Sequence, residues 1–324
     1  VSNHNEGDVR ISAVLHRLGL PDTKRAPELL SGGQSGAAVY RLDLDGGHAI
    51  LKLMRADAPR HLIEQARREV RVYRELANTL PIPAPRVIGV SDEAGEDIAI
   101  LLAEETPVPH VDHWSDADFL IVAGQLGRLH GAFWDRGDVI PSWVERVPAL
   151  APDRLENALR RWNSLGDHPK YRSIISPHLP KLARRIDRLP ELESFIDPMP
   201  ETLCHGDCHA GNFLRNERGD LLLADWQQVR RGTGIEDLSF FFQRAFAASA
   251  RVLPLDAMVR CYTETLVAEF SIAISIEQVE RYLQVSELRG WLIDWPAYLG
   301  FLPGSSVEGI LARIDWLRAL LDGA

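Results

Sequence analysis

Lysine is scarce in this sequence: of 36 basic residues, only Lys24, Lys52, Lys170 and Lys181 are lysines. Positive charge is in deficit altogether, since 46 acidic residues leave a formal net charge of −10. With no basic surplus to neutralise phosphates along a strand, no nucleic-acid partner is expected. Cysteine is nearly absent too. Cys204, Cys208 and Cys261 are too few and too unevenly spaced for a disulfide framework, and they fit a reducing cytoplasm. No apolar run approaches the roughly 18 residues needed to cross a bilayer, and the polar, acidic start "VSNHNEGDVR" does not read as a secretory signal. No membrane partner is expected. Internal repeats and low-complexity tracts are also lacking, and the composition leaves the oligomeric state unknown.

What is present is an ordinary globular composition, 45% hydrophobic and 25% charged, in a chain of 324 residues that can bury a large core. Its character changes along its length. "DVRISAVLHRLGL" has helical apolar spacing and stops at Gly19 and Pro21. Two strand-like runs then flank Asp45-Gly46-Gly47, a hairpin signal. "APRHLIEQARREVRVYRELANTL" reads as a helix ended by the prolines of "LPIPAPRVIGV", and "IAILLAEE" reads as a strand. Residues 25–105 therefore predict a mostly antiparallel sheet with one crossing helix. Beyond Thr106 helical patterns dominate, interrupted at 201–229 by two short apolar runs around Gly219-Asp220. The expected division is a sheet-rich lobe over 1–105 and a larger helical lobe over 106–324.

Several short stretches carry chemistry. "LLSGGQSGAAVY" places Gly32, Gly33, Ser35 and Gly36 between two strands, where missing Cβ atoms let backbone amides approach a phosphate. The stretch is neither a P-loop nor a Rossmann turn, because Gly-Lys-Ser/Thr is absent and no helix follows. Lys52 lies in "HAILKLM" on a strand face shared with Ile50 and Met54, so its ammonium needs a partner or a ligand. Glu69, between the apolar positions Ala66 and Tyr73 on the crossing helix, is the candidate partner, with Glu64 and Glu75 as competitors. Then comes "CHGDCHAGNF". Asp207, Asn212 five residues on and Asp225 at the end of "DLLLAD" supply one carboxylate for a hydroxyl proton and two hard oxygen ligands for Mg2+. A zinc site from Cys204, His205, Cys208 and His209 lacks a second ligand pair, and a Cys208 nucleophile would leave the other parts without a role.

In this order the parts resemble a known family. "HGDCHAGN…LLLADW", followed by "RRGTGIEDLSFFF", is similar to the His-Gly-Asp-x4-Asn and distal metal-Asp motifs of the aminoglycoside phosphotransferase and choline-kinase-like small-molecule kinases. The resemblance covers roughly residues 25–245. It implies an α+β, two-lobed protein-kinase-like fold with a small antiparallel-sheet N-terminal lobe and a larger, mainly helical C-terminal lobe. It implies that the protein transfers the γ-phosphoryl group of ATP, with Mg2+, to a hydroxyl of a small molecule such as an aminoglycoside-like antibiotic. Asp207 would be the catalytic Asp, Asn212 and Asp225 the metal ligands, Lys52 the phosphate contact and Glu69 its partner. His205 would hold the loop, Asp237 would cap the next helix, and the adenine would meet the backbone near Glu104 to Thr106.

The Asp-Trp-Gln continuation is also similar to the ecdysteroid-kinase-like branch, so a metabolite kinase is an alternative. A non-catalytic nucleotide-binding module is a further one, although the full set of Lys52, Asp207, Asn212 and Asp225 argues for catalysis. A protein kinase is disfavoured by His-Gly-Asp in place of His-Arg-Asp and by the short stretch between Asp225 and Asp237. For the acceptor, "SIEQVERYLQVSELRGWLIDWPAYLG" is the candidate region. Glu280, Glu287 and Asp294 recur every seven residues, which on one helix keeps them near one face with Trp291 and Trp295 alongside. Such a face suits a cationic or sugar-like ligand, or is a solvated acidic stripe over packed tryptophans.

Overall fold

The structure is a computed structural model, and it describes residues 2–30, 36–146, 150–193, 199–249 and 251–322. The chain forms two compact units, Val1–Val108 with Gly211–Val229, and Pro109–Ala210 with Arg230–Ala324.

In the first unit, α1 (Ser2–Arg17) stops at Gly19, whose φ of +70° a side chain would resist. Five antiparallel strands follow: β1 (Glu28–Leu30), β2 (Ala38–Leu44), β3 (Gly47–Met54), β4 (Val87–Ser91) and β5 (Ile98–Ala103). They are ordered β1-β2-β3-β5-β4. Strand alternation sorts β3 into two faces. Ala49, Leu51 and Leu53 pack with Leu42, Leu44, Ala99 and Leu101 against Ile11, Val14 and Leu15 of α1. Lys52, opposite Val39 on one side and Ile100 on the other, falls on the opposite face. There α2 (Arg60–Arg71), prolonged by a π-helical turn at Val72–Leu76, buries Ala66, Glu69, Val70 and Tyr73. Strand β6 (Thr106–Pro107) joins the hairpin of β8 (Phe213–Arg215) and β9 (Leu221–Leu223) in a second, three-stranded sheet.

The second unit is mainly helical. Ser115 and Asp118 close a capping box on α3 (Asp116–Phe133), which packs along α9 (Leu255–Phe270). Helices α4 (Pro152–Asp167), α5 (Arg172–Ile175), α6 (Leu179–Asp187) and α7 (Leu189–Glu193) lead to β7 (Glu201–Cys204), which pairs with β10 (Arg230–Thr233). Helices α8 (Ile235–Ala248), α10 (Ile276–Arg289) and α11 (Gly304–Asp322) complete it. The core gathers Trp162, Tyr171, Ile186, Trp291, Trp295, Leu299, Ile310 and Ile314. Two of its buried polar edges are satisfied by backbone: the Trp162 indole donates to the Leu292 carbonyl at 2.9 Å, and the Tyr171 hydroxyl to the Gly300 carbonyl at 2.8 Å.

The stretch 276–299 is not one helix. After Arg289 the chain makes a π-helical turn at Gly290–Asp294 and then 3-10 turns from Trp295. Gly290 lies so close to α8 that a Cβ there would stand 2.4 Å from Gln243 Oε1, and Pro296 has no N–H to continue a helix. The wide turn inserts residues into the repeat, so Glu287 and Asp294 do not share a face.

Candidate active site

In the first unit the scarce lysine is engaged twice. Lys52 Nζ lies 2.6 Å from Glu69 Oε2 and 2.7 Å from Asp225 Oδ1. The ladder puts Lys52 on the face that α2 covers, and helical spacing from Ala66 puts Glu69 inward, with a side chain only 2% exposed. Burial pushes the Glu69 carboxyl up to about 7, with Asp225 adding to the rise and Lys52 opposing it. Burial also works against the Lys52 ammonium, but the two carboxylates outweigh it and hold its pKa above the ordinary lysine value. Ala37, Met54, Ala66, Ile98 and Ile100 surround this group with apolar walls. Glu64, a competing partner in the sequence, pairs with Arg60 in solvent instead.

The β8–β9 hairpin explains how two oxygen ligands far apart in sequence come together. Phe213 faces Leu223, and the Ala224 amide donates to the Asn212 carbonyl at 2.9 Å, so Asn212 and Asp225 sit at the adjacent ends of one hairpin. Asp225 adopts a left-handed backbone, φ 64° and ψ 58°, ahead of a 3-10 turn. That conformation is costly for a residue with a Cβ and recurs where a side chain must be aimed. Trp226 anchors the turn: it is fully buried and its indole donates to the Leu223 carbonyl at 3.0 Å. An amide and a carboxylate side by side form a hard-oxygen donor set that fits Mg2+.

Gly36 has φ +75°, a conformation that strains any residue with a Cβ, and a Cβ there would also push the Leu62 Cδ1 methyl, 2.7 Å away, aside. Gly32, Gly33 and Ser35 lie outside the described residues. At the end of β5 the Glu104 amide donates to the His48 carbonyl, and its carboxylate pairs with Arg41 at 2.8 Å. Thr106 faces Arg215 across β6 and β8.

In the second unit Asp207 follows β7 on a loop with a tight internal scaffold. Its amide donates to His205 Nδ1 at 3.2 Å, and its carboxylate, 27% exposed, lies 3.9 Å from His209 Nε2. Asp237 does more than begin α8. Its carboxylate accepts the His205 amide at 2.6 Å and the Gly206 amide at 2.8 Å, and lies 3.3 Å from His130 Nε2. The expected helix cap is thus corrected: Asp237 makes no cap bond, and clamps the loop two residues before Asp207. Burial alone would raise its pKa, but the His130 hydrogen bond and charge, with His205 and Arg230, hold it below the ordinary carboxylate value. His130, missed in the sequence as one more helical position in "GRLHGAFW", is completely buried, and its other ring nitrogen bonds Tyr262 at 3.0 Å.

Among the described residues, one trio of metal-capable side chains converges: His130, Cys204 and Asp237. Its carboxylate and imidazole are committed to the loop amides and to Tyr262, which makes it a packing network. Burial pushes the thiols of Cys204 and Cys208 well above the ordinary range, so neither is poised as a nucleophile.

The clamp carries a prediction. Asp237→Asn keeps one oxygen but turns the other into an NH2 donor, so either the His205 or the Gly206 amide faces a donor, at a cost of roughly 2–4 kcal/mol. Because the native pKa is depressed, this stabilisation is present above the ordinary carboxyl pKa and is lost as pH falls through the native value. Urea melts at pH 7 and pH 3 therefore show a gap between wild type and variant that narrows in acid.

The acidic stripe expected at 280–294 is absent. Glu287 is fully buried, accepting Trp291 Nε1 at 2.9 Å and a two-pronged Arg313 at 2.8 Å for each prong. Trp291 and Trp295 are core residues whose rings meet at a tilt of 42°, centroids 4.6 Å apart. Glu280 and Asp294 stay partly exposed, and Asp294 pairs with Arg154 at 2.9 Å.

The sequence profile of the phosphotransferase enzyme family matches residues 27–270, well over half of the chain. The chain belongs to that family. A comparison with curated protein sequences found no match. Solved structures of similar fold include choline kinase from Cryptosporidium parvum Iowa II, 14% identical with a TM-score of 0.61, covering 92% of this chain and 90% of that one. Another is macrolide 2'-phosphotransferase from Brachybacterium faecium, 17% identical with a TM-score of 0.58, covering 95% and 98%. A third is amicoumacin kinase in complex with AMP-PNP, Ca2+ and Ami, 13% identical with a TM-score of 0.58, covering 97% and 95%. At these identities the likeness shows the fold, the two-lobed kinase-like architecture of small-molecule phosphotransferases. As in that fold, this family member has a small antiparallel-sheet unit and a larger helical one. Among its described residues no helix is long and apolar enough to cross a membrane.

Proposed function

We propose that the protein is an ATP-dependent small-molecule kinase that moves the γ-phosphoryl group to a hydroxyl acceptor. The observation that carries this reading is the Lys52 ammonium held between Glu69 and Asp225 inside an apolar pocket. A buried lysine with two carboxylates is stationed for phosphate oxygens, and membership in a phosphotransferase family fits it. The similar amicoumacin kinase structure holds AMP-PNP and Ca2+, in keeping with a nucleotide and a divalent ion here.

Residues 1–105 are assigned to nucleotide binding, and 106–324 to the catalytic loop and the acceptor. Lys52, oriented by Glu69, contacts the phosphates. Gly32, Gly33, Ser35 and Gly36 cover them with backbone amides, and the backbone near Glu104 and Thr106 meets the base. Asn212 and Asp225 would hold Mg2+, which when bound offsets charge on the phosphates. Asp207 orients the acceptor hydroxyl. As the new oxygen–phosphorus bond forms and the bond to the ADP oxygen breaks, the hydroxyl proton passes to the Asp207 carboxylate. Three free thiols suit a reducing, cytoplasmic setting.

The test has two arms. Calorimetric titration of ATP with and without Mg2+ should show metal-dependent binding, and Asp225→Ala should bring the affinity in Mg2+ down to the metal-free value. A mass-spectrometric screen with MgATP against aminoglycosides, macrolides, choline-like amines, sterols and hydroxylated metabolites should find an acceptor that gains one phosphoryl group. Folded protein that binds no ATP sinks the reading.

A further inference from the structure

Around Asp294 in the helical unit, hydrogen-bond donors outnumber acceptors. Arg154 of α4 makes a single bond, Nη2 to Asp294 at 2.9 Å, and its other N–H groups meet no partner among the described residues. Arg230 of β10 and Arg289 of α10 both bond Glu236, each at 3.0 Å, and Arg230 Nε is buried without a partner. The indole N–H of Trp295 is likewise buried and unpartnered. Arg244 of α8 stands 6.0 Å from the Trp295 ring and has no hydrogen bond or ion pair among the described residues. Asp294 and Trp295 are consecutive residues, so the Arg154 and Arg244 contacts fall side by side, and Asp294 also lies close enough to Arg230 to favour its charge. Arg154, Arg230, Arg289 and Arg244 thus gather near the carboxylates of Asp294 and Glu236, with Asp237 also close to Arg230, in a chain whose net charge is −10.

The cluster is tied to the catalytic loop within the same unit. Arg230 faces Cys204 across the β7–β10 ladder, and Glu236 precedes Asp237, whose carboxylate grips the His205 and Gly206 amides. Unused N–H groups can be satisfied only by lone pairs, and a guanidinium fork matches a carboxylate best. An ammonium would find every nearby carboxylate taken: Asp294 by Arg154, Glu236 by two arginines, Glu287 by Arg313 and Trp291.

We infer that the acceptor is a hydroxylated carboxylate, selected by the solvent-facing guanidinium N–H groups of Arg154 and Arg244 that no described residue occupies, and not a polyamine. This rests on the kinase reading for the word acceptor, but the binding site itself does not need ATP. Arg154 and Arg244 both reach solvent, so their replacement leaves the core intact.

The experiment titrates the full chain, without nucleotide, with D-glucuronate and with D-glucosamine, using wild type, Arg154→Gln and Arg244→Gln. Glucuronate should bind at least about tenfold tighter than glucosamine, and each variant should weaken glucuronate by about tenfold or more with an unchanged Tm. Glucosamine binding as tightly as glucuronate overturns the inference. So does glucuronate that fails to bind wild type, or that binds both variants as it binds wild type. ATP titrated separately reports on the kinase reading, so either idea can fail without the other.

Discussion

Asp207→Asn eliminates phosphoryl transfer while leaving ATP binding intact. The substitution keeps the size of the side chain, and the loop beneath it is held through the His205 and Gly206 amides and through the His205 ring. What is lost is a proton acceptor, and general-base removal costs about 10²–10⁴ in rate. The measurement is kcat on whichever acceptor the screen labels, beside calorimetric ATP affinity. A variant that turns over at the wild-type rate removes Asp207 from its role. Parallel loss of ATP binding would show that the loop, not the proton, had been damaged.

Lys52→Met produces the largest loss of stability expected from any single change in the first unit. Its methylenes are replaced in kind, but Glu69, 2% exposed, is left as a buried carboxylate without its ammonium partner and with the Asp225 carboxylate still nearby. Breaking one side of a buried pair costs about 3–5 kcal/mol. The cost depends on pH in a definite direction. Glu69 already has its pKa raised from 4.5 to about 7 in the native state, so the native protein holds the proton that the unfolded chain releases. Its contribution is therefore full below about 4.5 and is lost as pH rises through about 7. Without Lys52 the carboxyl rises further, so the variant's deficit is small at pH 5 and grows toward pH 8. Chemical denaturation across that range checks the sign, and Lys52→Met with Glu69→Leu should recover most of the loss. A deficit that is the same at both ends of the range would mean that Glu69 is not the strained partner.

Much of the site is legible in the primary structure because its logic is local. The period of two along "HAILKLM" assigns Lys52 to a face, and the helical period around Ala66 and Tyr73 chooses Glu69 over Glu64; the 2.6 Å contact agrees with both. Asn212 and Asp225 are separated by a hairpin that Gly219-Asp220 announces, and Gly219 indeed has φ +87°. The expectation for 276–299 failed for an equally physical reason. A heptad spacing predicts a shared face only while the helix keeps its pitch, and the π-helical turn at Gly290–Asp294 breaks it. What then decides the fate of Glu287 is Arg313 from α11, a partner 26 residues downstream that no local pattern reveals.

Asp237 shows the same boundary. An Asp in the first turn of a helix reads as a cap, because that is what sequence proximity favours. Its actual partners are amides 31 and 32 residues earlier, brought there by the β7–β10 ladder. The sequence by itself determined the order of elements, the face of Lys52, the choice of Glu69 and the hairpin that brings Asn212 beside Asp225, since each follows from backbone periodicity or turn chemistry within a short stretch. Only the tertiary structure decided which charges are neutralised: Asp237 by His130 and the loop amides, Glu287 by Arg313, Asp294 by Arg154. A buried or crowded charge takes whatever partner the packing of distant elements delivers, and that delivery is a property of the fold, not of any segment.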